Sequence, residues 1–337
     1  MENRNWGEIK RFYALDANKM AMGPQEIDCV HLSYRSMTVK FPISNFISRF
    51  NRVRSQERQA VFKKVAQSAQ LVSLPDIYLK LKELIDDPDY TMAEVALLVG
   101  RDPGMAARFL RVVNSPLNRR AVKIETVSHA VSLLGIRQVH DIVLTASVAE
   151  AFSGIQTDVM NMKKFWQGSF YCAVMTKRLA LECGIMDTDR LFVIGLLHDI
   201  GHLFMYLSIP EAAQQAVLTA RDLDRPLYQV EREQLGFDYA RLGGVVMKQW
   251  DLPKIFQVIT FFHPEPGQAD RFTEETALLH LSALLVMSDL ENGDFGKGAF
   301  SVDPSAMQTA GLTEEQCLDL RRTAASEFAE VSDSLFL

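Results

Sequence analysis

Cysteine is scarce: Cys29, Cys172, Cys183 and Cys317 are the only four in 337 residues, and no two form a Cys-x-x-Cys pair. Their scatter argues against a disulfide framework or a zinc cage and fits reduced thiols packed as small hydrophobes. Long uncharged apolar runs are also missing. None reaches the roughly 18 residues of a membrane span. The opening Met1-Glu2-Asn3-Arg4-Asn5-Trp6 lacks the apolar core of a secretory signal, so the cytoplasm is the default expectation, with no membrane partner. The chain contains no serine elbow, phosphate-cradling glycine loop or dinucleotide fingerprint, which removes several enzyme classes.

An ordinary globular composition remains, 48% hydrophobic and 23% charged, with a net charge of −6. The length allows about two domains, or one long domain with extensions. Charge is unevenly placed: residues 1 to 64 hold 12 Lys and Arg against 6 Asp and Glu, or +6, which leaves −12 for the rest. Arg49, Arg52, Arg54, Arg58, Lys63 and Lys64 read as a solvated helix face or as a contact for an acidic surface. Apolar anchors such as Phe41, Phe46, Ile47 and Phe50 would have to supply the adhesion in such a contact, because exposed charges are worth little.

Residues 1 to 45 are poorly periodic, with Pro24 and Pro42 breaking any long helix and Cys29–Leu32 and Met37–Phe41 open to short strands. Beyond them the pattern is helix after helix. Ile77, Leu81, Leu84 and Ile85 share a face that ends at Pro88. Thr91 and Glu94 form a capping box, Asp102 caps the next helix with Pro103 in its first turn, and Asn114-Ser115-Pro116 stops it. Thr126 opens a helix that Gly135 ends, and a further apolar helix follows to about residue 152. Residues 91 to 114 have the outline of a helix-turn-helix offering Arg108 and Arg111 to DNA. The acidic balance of the domain disfavours that reading.

Phe165, Trp166, Phe170, Ala173 and Val174 form a stripe at helical spacing that reads as core. The next helix, begun at Asp187 or Asp189, leads into Leu196-Leu197-His198-Asp199-Ile200-Gly201-His202. A His-Asp pair inside an apolar run calls for a partner or a metal, since an unpaired buried carboxylate is costly. On one continuous helix His198 and His202 share a face, and Asp199 stands about 100° away. Gly195 and Gly201 flank the pair and predict close approach by another helix. His31, His129, His140 and His280 read as packed or solvated, without a carboxylate at ligand spacing. Residues 291 to 299 read as a loop, and Thr313 as the cap of a final helix.

Taken in order, Leu74-Pro75, Arg101-Asp102-Pro103, Asn114-Ser115, Leu133-Leu134-Gly135, Phe165-Trp166, Leu197 to Gly201 and Gly236-Phe237-Asp238 resemble the HDOD domains of bacteria. The resemblance implies a mostly α, HD-domain-like multi-helix bundle over residues 65 to 265. It leaves a basic N-terminal segment at 1 to 64 and a helical C-terminal extension at 266 to 337. It further implies kinship with HD phosphohydrolases and HD-GYP phosphodiesterases, together with a role in signalling rather than catalysis.

A working HD site resembles a metal cage of an early His, the His-Asp pair and a late Asp. Here Gly168 stands where the early His is expected, Tyr239 where many relatives carry His, and Ala283 at the late Asp. His198, Asp199 and His263 remain, and His202 takes the place of a Lys in HD-GYP relatives. The expectation is no cofactor, with weak divalent metal binding at His198 and Asp199 as the exception. The predicted function is a non-catalytic regulator binding a regulatory protein or a small signalling ligand. The alternatives are an HD-type phosphohydrolase acting on a nucleotide or phosphate ester and, behind it, DNA binding.

Overall fold

The structure is a computed structural model and describes residues 29–34, 37–42, 58–67, 75–114, 123–152, 161–292 and 304–335. The chain divides into two compact units, Met1–Glu57 and Arg58–Leu337. In the first, β1 (Cys29–Tyr34) pairs antiparallel with β2 (Met37–Pro42), Cys29 opposite Pro42 and Tyr34 opposite Met37. Both short strands expected from the sequence therefore form, and Phe41 lies on β2. Arg49, Arg52, Arg54, Phe46, Ile47 and Phe50 lie outside the described residues, as do residues 293 to 299 of the expected loop.

Among its described residues, the second unit is built of helices and their connections, with no strand. It begins with α1, residues 58–67, which buries Val65 and Ala66 and leaves Lys63 and Lys64 exposed. Arg58 donates to the Glu233 carbonyl, and Phe62 meets the Phe237 ring edge-on at 5.0 Å. This part of the basic segment thus docks through its apolar side, with its lysines in water.

Helix α2 (Asp76–Asp86) buries Tyr78 and Leu81. Helix α3 (Met92–Arg101) opens with the expected capping box: Thr91 Oγ1 accepts from Glu94 N–H at 3.2 Å, and Glu94 accepts from Thr91 N–H at 2.9 Å. Helix α4 (Pro103–Val113) is capped by Asp102 and carries Pro103 in its first turn. Asn114 bonds both the N–H and the carbonyl of Ile124, each at 2.7 Å. Helices α3 and α4 follow each other directly through Asp102, both pack on α5 (Val127–Phe152), and Arg108 is paired with Glu150. Helix α5 is broken at Gly135, whose φ of 74° places it where glycine alone is at ease.

Helix α6 (Met162–Glu182) runs through the core with Phe170, Ala173 and Val174 buried, as the stripe predicts. It packs against α7 (Thr188–Leu197), α13 (Thr273–Asn292) and α15 (Glu314–Leu335). Arg178 reaches Glu327 with two donors, and Tyr171 stacks on Phe328 at 4.9 Å, so the C-terminal helices belong to the same core. Between α7 and α13 lie α8 (Ile200–Ser208), α9 (Pro210–Asp222), α10 (Leu227–Leu235), α11 (Tyr239–Gln249) and α12 (Lys254–Phe262). The short α14 (Pro304–Ala310) precedes α15, which opens on Thr313.

Two stretches, Val127–Val148 and Thr188–Ser208, reach the length and hydropathy of a membrane span. The first is kinked at Gly135, and the second is interrupted at His198 and Asp199 and is 78% buried in the protein. Their apolar side chains are used in packing against neighbouring helices.

Both glycines beside the His-Asp pair are in tight contact. A Cβ at Gly195 would stand 2.9 Å from Ala173 Cα, and one at Gly201 would overlap the Tyr239 carbonyl and lie 2.9 Å from Gly243 N. The α8–α11 crossing therefore tolerates no side chain at Gly201. Gly201→Ala is expected to destabilise the protein by about 3 kcal/mol, the upper range for overpacking, read as a lowered urea midpoint. An unchanged midpoint would show that the crossing can relax.

Candidate functional site

The sequence motif lies at the junction of α7 and α8, and there the expected continuous helix is corrected. Helix α7 ends at Leu197, Asp199 adopts φ −97° and ψ 9°, and α8 starts at Ile200. The break turns the Asp199 carboxylate toward the first turn of α8, where Oδ1 accepts from His202 Nδ1 at 2.5 Å. His198 and His202 consequently point to different neighbours.

His202 is held on its other side by Glu231 of α10, with Nε2 2.9 Å from Oε1. A carboxylate only accepts, so bonding two of them requires a proton on both ring nitrogens, and His202 is an imidazolium. Burial would push its pKa down, but Asp199 foremost, with Glu231, holds it well above the usual histidine range. Asp199 responds in kind: burial would raise it, and the His202 charge and hydrogen bond lower it. The Tyr239 ring stacks on the imidazole at 4.0 Å and the Tyr206 ring at 5.6 Å, each inclined by 15°, so the cation is also flanked by π faces.

Glu231 is 1% exposed and uses its second oxygen to accept the Tyr239 N–H at 3.0 Å, which ties it to the start of α11. The fully buried Asp238 caps that helix through Arg241 N–H and takes Arg232 as its ion partner.

His263, just past α12, donates from Nδ1 to the Thr260 carbonyl at 2.7 Å, and its Nε2 lies 3.0 Å from the Tyr239 hydroxyl. Burial first, and then the His198 charge, pushes His263 well below its normal pKa, so the ring is neutral. Burial and nearby carboxylates hold Tyr239 well above the ordinary phenol range. The Tyr239 O–H therefore donates to the one lone pair His263 could offer a metal.

His198 donates from Nδ1 to the Gly195 carbonyl at 2.7 Å and meets the His263 ring edge-on at 5.4 Å. Burial pushes its pKa down, but the Cys172 sulfur, Asp199 and the Gly195 carbonyl together hold it up at about 9.

Sequence reasoning brought together His198, Asp199, His202 and His263, and the structure places all four in one cluster. It missed Glu231, which nothing in Val230-Glu231-Arg232-Glu233 distinguishes from its neighbour. Cys172 is buried as the small hydrophobe the sequence suggests, and His280 is packed as expected, its Nδ1 donating to the His263 carbonyl at 2.8 Å. His140 differs from its reading and has a carboxylate partner: its Nδ1 is 2.9 Å from Asp141 Oδ1.

The donor set does not fit a catalytic metal. Both nitrogens of His202 carry protons, the free lone pair of His263 is occupied by Tyr239, and Asp199 already pairs with His202. Ala283 on α13 offers no ligand. Among the described residues, no group of three or more His, Cys, Asp or Glu is disposed to hold an ion.

Fold and site together define a helical HD-type domain whose His-Asp motif lies in a buried, hydrogen-bonded cluster. The HDOD domain profile matches residues 71–266, more than half of the chain, and the chain belongs to that family, which is related to the HD phosphohydrolases. A crystal structure of a candidate phosphohydrolase from Shewanella amazonensis SB2B superposes with a TM-score of 0.63 at 22% identity, covering 82% of this chain and 98% of that one. An HDOD domain protein of unknown function from Geobacter sulfurreducens gives 0.63 at 21%, covering 82% and 97%. An uncharacterised protein of Treponema pallidum (strain Nichols) is 23% identical over 239 residues, 67% of this chain but only 45% of that protein's length. These likenesses establish the fold.

The bracketed imidazolium makes stability depend on pH. A histidine whose folded pKa is raised contributes fully below its unfolded value near 6.5 and loses that contribution as pH rises toward the folded value. His202 and His198 both act in this direction, whereas the depressed His263 acts below about pH 6.5. Raising the pH from about 6.5 to 8, below the range of normal thiol titration, is expected to lower the urea midpoint. His202→Gln should flatten the trend, and an equal slope in the variant would contradict the assignment. Glu231→Ala removes one of the two carboxylates that pair with His202 and leaves the Tyr239 N–H without its acceptor, and is expected to cost about 3 kcal/mol, checked by the same denaturation.

Proposed function

We propose that this protein is a non-catalytic regulator of the cytoplasm that works by binding a regulatory protein or a small signalling molecule. One observation carries the reading: Tyr239 seals the former metal site, its ring on His202 and its hydroxyl on His263 Nε2. Hydrolysis in an HD-type site needs open coordination positions and free imidazole and carboxylate donors. Here those donors are spent on one another. An ion would have to displace a proton from the His202 imidazolium and break the Tyr239–His263 bond, which makes binding weak and strongly dependent on pH. The polar cluster then serves to fix the geometry of α7, α8, α10 and α11, and signalling falls to the outer surfaces of the domain.

Metal analysis of the purified protein is the test. Less than one tightly held transition metal per chain is expected, with no metal-dependent hydrolysis of cyclic di-GMP or simple phosphate esters. Stoichiometric iron, manganese or zinc, with turnover abolished by Asp199→Ala, would overturn the proposal in favour of a phosphohydrolase.

A further inference from the structure

A second concave site lies between α4, α5, α6 and α7, a pocket of about 50 Å³. It is lined by Gln138, Asp141, Thr145, Lys177, Asp189 and Phe192, together with aliphatic side chains. Asp189 and His198 stand at opposite ends of α7, about 14 Å apart along its axis at the rise of an α-helix. The pocket is thus separate from the sealed HD cluster and does not depend on how that cluster is read.

Its polar atoms are paired in one sense only. Gln138 Nε2 donates to Asp189 Oδ2 at 2.5 Å, and Lys177 Nζ donates to Asp189 Oδ1 at 2.7 Å. The Thr145 hydroxyl gives its proton to the Asp141 carbonyl at 2.9 Å. Asp141 itself is 4% exposed, and its Oδ1 is held by His140, whose Nε2 lies 3.0 Å from the Tyr78 hydroxyl. Lys177 pairs with Asp189, whereas Asp141 pairs, among the described residues, with the His140 imidazole. Among the described residues, Asp141 Oδ2 and the amide oxygen of Gln138 have no hydrogen-bond partner, and Thr145 Oγ1 keeps its lone pairs. The pocket is rich in acceptors, and its lining holds two carboxylates, Asp141 and Asp189, against the single ammonium of Lys177.

We propose that this pocket binds a guanidinium group on an apolar stem. A planar guanidinium presents five N–H donors in a fixed fork, enough for three separated acceptors, and is more weakly hydrated than an ammonium, so it enters an apolar pocket at lower cost. Phe192 offers an aromatic surface for the cation, and the aliphatic wall takes the stem. The volume admits a head of only a few heavy atoms. The same chemistry is available from a free alkylguanidine or from an arginine side chain of a protein.

Calorimetric titration of the full chain with ethylguanidinium, and with ethylurea as its neutral counterpart, tests the assignment. Saturable one-to-one binding of ethylguanidinium is expected, at least about tenfold tighter than that of the urea. Asp141→Asn, which keeps an acceptor for His140 while removing the charge, should weaken binding by about tenfold or more. Should that variant fail to fold, Ile142→Phe fills the pocket without altering its charge and should abolish binding. A parallel titration with N-acetyl-arginine methylamide separates the sources: binding of both ligands fits an arginine side chain, and binding of ethylguanidinium alone fits a free alkylguanidine. Absence of saturable binding by ethylguanidinium, equal affinity for the urea, or undiminished binding by a folded variant would overturn the proposal.

Discussion

An imidazolium held between two carboxylates, Asp199–His202–Glu231, is the interaction on which the centre of this domain depends. Charges buried this deeply lose their hydration, and the loss is offset only when geometry and hydrogen bonding are nearly complete. That requirement accounts for the local architecture. The chain must leave helix at Asp199 to aim the carboxylate at the first turn of α8, α10 must bring Glu231 inward, and α11 must start where its Tyr239 N–H completes Glu231. The Gly201 contact sets how closely α8 and α11 approach, and with it the stacking of Tyr239 on the imidazole.

On the proposed reading, the same network lets an HD-type fold keep its signature without an open metal cage. A metal cage is a set of lone pairs aimed at an empty point. Here two of those lone pairs have gained a proton or a donor: His202 by its two carboxylates and His263 by the Tyr239 hydroxyl. Tyr239 is the decisive replacement, because one side chain supplies a ring over the cation and a donor to the neutral histidine. The remaining polarity serves to fix helix positions, and that rigidity suits a domain that presents surfaces to other molecules.

Much of this was legible in the sequence where the physics is local. Capping residues sit beside the backbone groups they satisfy, so Thr91, Asp102 and Thr313 mark their helices correctly, and Gly135 marks its kink. Two glycines around a His-Asp pair signalled close packing because a missing Cβ has few other uses inside a helix. The membership of His198, Asp199, His202 and His263 in one cluster followed from family resemblance. Periodicity failed to reveal the break at Asp199, since the apolar runs on either side, Leu191 to Leu197 and Leu203 to Met205, are compatible with one continuous helix. Glu231 stayed hidden among alternating charges because its value lies in a contact 29 residues away with His202. The His140–Asp141 pairing was overlooked although the two are adjacent, because neighbours on a helix usually point apart.

The protonation of His202 is the most direct test of this account, because every other assignment in the cluster follows from it. Ring-nitrogen NMR of the folded protein at pH 7.5, before and after addition of zinc or manganese, reads it without altering a residue. Protons on both His202 nitrogens, with zinc leaving the signals in place and manganese leaving them unbroadened, are expected of a sealed ionic bracket. A ring with one bare nitrogen whose signal moves with zinc or broadens with manganese would contradict it.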